Sequence, residues 1–87
     1  MRVLTATIKT KTGLHARPAA LLVNTVAQYK SEVKIAKNGQ EANLKSLLDL
    51  LSLGAEQGDR ITITVDGTDE DEVIAALQRC AMENELW

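Results

Sequence analysis

The only histidine of the chain, His15, stands in the stretch Gly13-Leu14-His15-Ala16-Arg17-Pro18-Ala19-Ala20, which gathers residue types suited to phosphoryl chemistry. A neutral imidazole nitrogen is nucleophilic near physiological pH. Arg17, two residues on, supplies a guanidinium that can hold an anion. Gly13 permits a backbone angle closed to other residues. Pro18 is tolerated in a first helical turn, where a missing N–H would have had no intrahelical partner.

What must position these groups is a helix. Ala19, Leu22, Val23 and Val26 follow the i, i+3, i+4, i+7 spacing of a buried face, which predicts a helix from about Ala16 to Tyr29. His15 then lies beside the unpaired N–H groups of the helix start, where the macrodipole favours negative charge. A histidine at such a start also fits a simple cap or a solvated surface residue, and spacing alone leaves both readings open. Ala16, Ala20, Asn24 and Ala27 form a strip of small side chains running on from His15; such a strip lets a partner approach closely, or simply favours helix.

Composition narrows the classes. With 87 residues the chain is one domain, 1–87, and has no room for a deep cofactor cavity. Its formal charge of −2, one Tyr, one Trp and no Phe argue against nucleic-acid binding, which needs a basic stripe and stacking aromatics. Cys80 has no intrachain partner, lies in a helical pattern and fits the cytoplasm. No apolar run approaches the roughly 20 residues of a membrane span, and Met1-Arg2-Val3-Leu4-Thr5 lacks a signal h-region.

Along the chain, Val3–Ile8 alternates with the period of a strand, with Leu4, Ala6 and Ile8 on one side. Thr12, in the polar connection that follows, could reach the site or serve the turn. Glu32–Lys37 is a second strand, and Asn38-Gly39 predicts a type I′ hairpin to a short third strand near Gln40–Asn43. Ser46-Leu47-Leu48-Asp49 has capping spacing and opens a leucine-rich helix at or beside Ser46, closed by Gly54. Apolar residues at 47, 48, 50, 51 and 53 must wrap more than one face of so short a helix, so at least one is expected to face outward.

Arg60–Val65 is the cleanest strand and a candidate for the sheet centre. Thr68-Asp69-Glu70-Asp71 has capping spacing, and Val73, Ile74, Leu77, Cys80 and Ala81 mark a last helix to about Glu83. The acidic run reads as helix-start chemistry, because no histidine or cysteine accompanies it to make a transition-metal site. The order β-α-β-β-α-β-α, with cleanly alternating strands, predicts a two-layer α/β (α+β) open-faced sandwich: an antiparallel sheet with one face under helices and one face wet.

Gly13-Leu14-His15-Ala16-Arg17-Pro18-Ala19 resembles the active-site signature of the HPr family, the histidine-containing phosphocarriers of the bacterial phosphoenolpyruvate:sugar phosphotransferase system. Asn43-Leu44-Lys45-Ser46-Leu47-Leu48, with Leu51-Ser52-Leu53-Gly54 after it, resembles the family's regulatory serine region, at the family's usual separation. The resemblance spans essentially the whole chain. It implies strand order 1-4-2-3, three helices on one side of the sheet, and a monomer without cofactor or metal. It also implies a carrier, not an enzyme: His15 takes a phosphoryl group through Nδ1 from phospho-enzyme I and passes it to IIA domains of sugar permeases, with Arg17 as counter-charge.

Partners would dock on Ala16, Ala20, Leu47, Leu48 and Leu51, fringed by Arg17, Lys45 and Thr12. Ser46 matches the serine that HPr kinase/phosphorylase modifies in many Gram-positive relatives, which links the family to a catabolite control transcription regulator. The chain departs from some relatives in carrying Asn24, Ala27 and Asp49 where they have lysine, and Asp49 would oppose a phosphate on Ser46 by like-charge repulsion. A dedicated regulatory phosphorelay, or a transcription co-regulator module that relays no phosphate to sugars, is the competing reading.

Overall fold

Ile61, Ile63 and Val65 alternate with two threonines along one strand, and in a computed structural model describing Met1–Trp87 these three side chains are fully buried at the middle of a four-stranded sheet. The elements are β1 (Arg2–Thr7), α1 (Ala16–Ala27), β2 (Glu32–Lys37), β3 (Gln40–Asn43), α2 (Leu47–Leu53), β4 (Arg60–Asp66) and α3 (Glu70–Asn84). The sheet is antiparallel in the order β1-β4-β2-β3. Register keeps like with like: Leu4 and Ile35 both pair with Ile63, and Val33 pairs with Val65. One face is therefore apolar throughout, since a slip of one residue would turn every side chain over.

That face meets Leu22 and Val26 of α1, Leu50 and Leu53 of α2, and Val73, Leu77 and Ala81 of α3 in a single buried cluster. On the other face Val3, Thr5, Glu32 and Lys34 are exposed. Asn38 and Gly39 both take positive φ, +50° and +82°, as the type I′ hairpin between β2 and β3 requires.

Several boundaries differ from the sequence expectation, each for a hydrogen-bonding reason. β1 occupies Arg2–Thr7, one residue earlier than predicted. Ile8, though buried, exchanges its backbone bonds with Asp59 and Gly58 of the turn before β4. α1 stops at Ala27 and not at Tyr29, because the Tyr29 N–H turns back to the Val26 carbonyl. Val23 and Ile74, assigned to buried stripes, are half-buried.

The expected Thr68 cap is not made. Asp69 precedes α3, and its carboxylate leaves its own helix to accept the backbone N–H groups of Lys30 (2.7 Å) and Ser31 (2.9 Å) and the Ser31 hydroxyl. Those three donors, the Ser31 hydroxyl foremost, hold the Asp69 carboxyl below the ordinary aspartate range. The neighbouring acids also work at long range. Glu70 accepts from Gly67 N–H and pairs with the N-terminal ammonium at 3.1 Å, and Asp71 accepts from Arg2 Nε at 2.6 Å. The acidic run thus starts the helix and also ties it to β1.

Candidate functional site

The loop from Ile8 to His15 is held at three points. Lys9 N–H donates to the Leu86 carbonyl (2.8 Å), Gly13 N–H to Thr10 (3.0 Å) and Leu14 N–H to Ala55 (2.8 Å). Leu86 is itself buried, so the C-terminal tail anchors the loop that leads to the histidine. Gly13 has φ +66°, and a Cβ placed there would lie 2.5 Å from the Ala55 carbonyl oxygen and 2.7 Å from Glu56 Cα. Glycine is needed twice over, for the left-handed angle and for the close approach.

His15 is the residue before α1, with extended backbone, and its carbonyl accepts the first helical bond from Ala19 N–H at 2.9 Å. Its imidazole makes no capping bond, which removes the simple-cap reading, and the residue is exposed. The amide N–H groups of Ala16 and Arg17 have no preceding helical carbonyl to bond and Pro18 has none to offer, so two donors remain free beside the ring. Arg17 is exposed and forms no ion pair within 4 Å. A nucleophilic nitrogen, two amide donors and an unengaged guanidinium therefore share one exposed corner, which can receive and hold a phosphoryl group.

The imidazole opens onto a shallow recess lined by Leu14, Ala16, Leu51, Gly54, Ala55 and Glu56. Leu51 lies at its edge, and Leu47 and Leu48 stand one helical turn further along α2. Leu48 is 81% exposed and Leu47 37%, while Leu50 and Leu53 fill the core. At least one leucine of the run does face outward, as the crowding of this short helix predicts. Ala16 is exposed and Ala20 half-buried on the adjoining side of α1.

Thr12 is exposed, makes no side-chain hydrogen bond and does not line the recess. Lys45 is drawn away from the His15 corner: its ammonium donates to the Tyr29 carbonyl at 2.6 Å, beyond the far end of α1. Ser46 caps α2, accepting from Asp49 N–H at 3.3 Å. The reciprocal half of a capping box is missing, because the Asp49 carboxylate accepts from Asn43 N–H (2.6 Å) instead. Nothing in the sequence singles out Ala55 and Glu56; no local pattern marks them, and they reach the histidine through the Leu14–Ala55 bond and the close approach of the Gly13 backbone.

No three His, Cys, Asp or Glu side chains converge as metal ligands, and no helix is long and apolar enough to cross a membrane.

Comparison with known proteins agrees with this geometry. The family described as PTS HPr component phosphorylation site matches residues 4–83. The phosphocarrier protein HPr of Mycoplasma genitalium is 44% identical over 87 residues, covering 99% of both chains. A Mycoplasma histidine-containing phosphocarrier protein superposes with a TM-score of 0.94 at 34% identity, covering 98% of this chain and 97% of that one. An HPr structure from Thermoanaerobacter tengcongensis gives 0.90 at 41% identity over 98% and 94% of the two chains, and an HPr dimer from the same organism gives 0.74 over 98% and 97%. A match over nearly the full length in sequence and in fold places this chain in the HPr family, the phosphocarrier proteins of the phosphotransferase system.

Proposed function

We propose that His15 is the phosphoacceptor of a relay that runs from phospho-enzyme I to the IIA domains of sugar permeases, in the cytoplasm, with a single chain as the acting unit. The observation that carries this reading is the exposed, unpartnered imidazole at the start of α1, with free amide donors and the unpaired Arg17 beside it. In the first step an imidazole nitrogen, Nδ1 in this family, attacks phosphorus. The new N–P bond forms as the donor's bond to phosphorus breaks, and its electron pair stays with enzyme I. The second step repeats this with the IIA domain as nucleophile and His15 as leaving group. Phosphoryl transfer asks mainly for positioning and charge stabilisation, so an open corner completed by a docked partner suffices.

Ala16, Ala20, Leu47, Leu48 and Leu51 form the apolar surface on which we dock those partners. Ser46 is proposed as a regulatory phosphorylation site for an HPr kinase/phosphorylase, where phosphate beside the exposed leucines would obstruct docking and offer a mark to a transcription regulator.

Incubation with phosphoenolpyruvate and enzyme I should give a phosphorylated protein whose label is acid-labile and alkali-stable and passes to a IIA domain. His15→Ala should remove the label. Label that survives the substitution, or that never moves to a IIA domain, overturns the reading.

A further inference from the structure

The recess beside His15 contains one charged side chain that the relay described above does not use, and that side chain is acidic. Glu56 lines the recess together with His15, is exposed, and has no ion-pair partner within 4 Å.

Its backbone is fixed from several sides. Glu56 N–H donates to Asp59 Oδ2 at 2.8 Å, and the same carboxylate oxygen meets Lys37 Nζ at 2.8 Å. Lys37 Nζ also donates to the Gly54 carbonyl at 2.8 Å, so one ammonium clamps both ends of the loop that carries Glu56. On the other side the Gly13 backbone packs against Ala55 and Glu56 so closely that a Cβ would not fit. Glu56 is thus held beside the histidine by contacts on two sides, at a place where the opposite charge would be expected to help an anion bind.

The geometry points to Glu56 as a tuning residue for the phosphoryl group on His15: its carboxylate destabilises the phosphorylated form by like-charge repulsion and so raises the tendency to pass the group on. This rests on His15 being the phosphoacceptor. A phosphoryl group carries close to two negative charges, and Arg17 with the two free amides offsets them on one side. Glu56, lining the same recess as His15, opposes them. A carrier must let go as readily as it loads, and a cationic cage alone would favour retention. Exposed charges several ångströms apart, screened by water and salt, change such an equilibrium by about threefold to tenfold.

The test is a partition experiment. Phosphorylated wild-type protein is mixed with an equal amount of unphosphorylated Glu56→Gln and a catalytic trace of enzyme I. Once equilibrium is reached, the four species are resolved by native intact mass, the variant chain being uniformly 15N-labelled. Because enzyme I only catalyses exchange, any effect of the substitution on docking alters the rate and leaves the final ratio untouched.

The phosphoryl group should settle on Glu56→Gln by about threefold or more and further on Glu56→Lys, while Glu56→Asp should share it almost evenly. Raising the salt concentration should move every ratio toward one. An even partition for both Gln and Lys overturns the role of Glu56 while leaving the phosphocarrier reading intact, and so does a Gln preference that Asp shares. If wild-type protein takes no label on His15, the phosphocarrier reading fails and this inference fails with it.

Discussion

Gly13→Ala should weaken the protein far more than a glycine-to-alanine change elsewhere, and the structure allows the cost to be divided. At φ +66° an alanine incurs about 1 kcal/mol or slightly more for the left-handed angle. The added Cβ would also meet backbone, the Ala55 oxygen at 2.5 Å and Glu56 Cα at 2.7 Å, so two chain segments must part. Parting them stretches the Leu14 N–H to Ala55 bond, now 2.8 Å, which is worth about 1 kcal/mol net. With residual crowding the total comes to about 3 kcal/mol.

Gly54→Ala is the matched control, since Gly54 has φ +67° but nothing lies within 4 Å of the point a Cβ would occupy. It should lose only about 1 kcal/mol. In urea unfolding, with m near 1 kcal/mol/M for so small a domain, the Gly13→Ala midpoint should fall by roughly 2 to 3 M and that of Gly54→Ala by about 1 M. Equal losses at the two positions would refute the close-approach argument and leave only backbone conformation. The Gly13 variant should also be slow to accept phosphate, because the same shift moves His15 relative to its recess.

Asp69 makes stability sensitive to acid. Its carboxyl titrates below the ordinary range because the Ser31 hydroxyl and the Lys30 and Ser31 N–H groups favour the charged form. Its contribution is therefore fully present above the ordinary aspartate value and is lost as pH falls through the depressed one. Asp69→Asn should lower the neutral-pH unfolding midpoint and flatten the acid limb of stability against pH; an unchanged acid limb would count against the assignment. Leu48 and Leu50 should separate docking from folding. Leu48→Ala, at an exposed site, should shift stability by less than about 0.5 kcal/mol yet slow phosphorylation by enzyme I by about tenfold. Leu50→Ala, in the core, should cost about 2 to 5 kcal/mol. A Leu48 variant that accepts phosphate at the wild-type rate would remove that leucine from the docking surface.

Local signals in this chain are readable where neighbouring residues determine the outcome. The alternation of Ile61, Ile63 and Val65 marks the central strand, Asn38-Gly39 marks the hairpin, and Ser46 marks the start of α2, all because a turn or a pleat is a property of adjacent residues. Capping patterns are less informative. Thr68-x-x-Asp71 matches a box, yet Asp71 is taken by Arg2 and Asp69 by Ser31, partners brought close only when β1 and the α1–β2 loop pack against α3. Lys45 shows the same limit: near Ser46 in sequence it looks like part of a basic fringe, but its ammonium satisfies the Tyr29 carbonyl left free after the last turn of α1.

The His15 site divides along the same line. Its nucleophile, donors and guanidinium are consecutive residues at one helix start, so the string Gly13 to Ala20 shows what can be held there. On the proposed reading, how tightly a phosphoryl group is held there depends on what faces that helix start, and Gly54, Ala55 and Glu56 of the loop before β4 line the same recess. That loop is brought in by the Leu14–Ala55 bond, by the bare backbone of Gly13 and by the Lys37 clamp. None of these contacts carries a period or a spacing that sequence can display. Residues of a relay that bind phosphate can thus be local, while a residue that sets its release can sit on another segment, free to change without disturbing the signature itself.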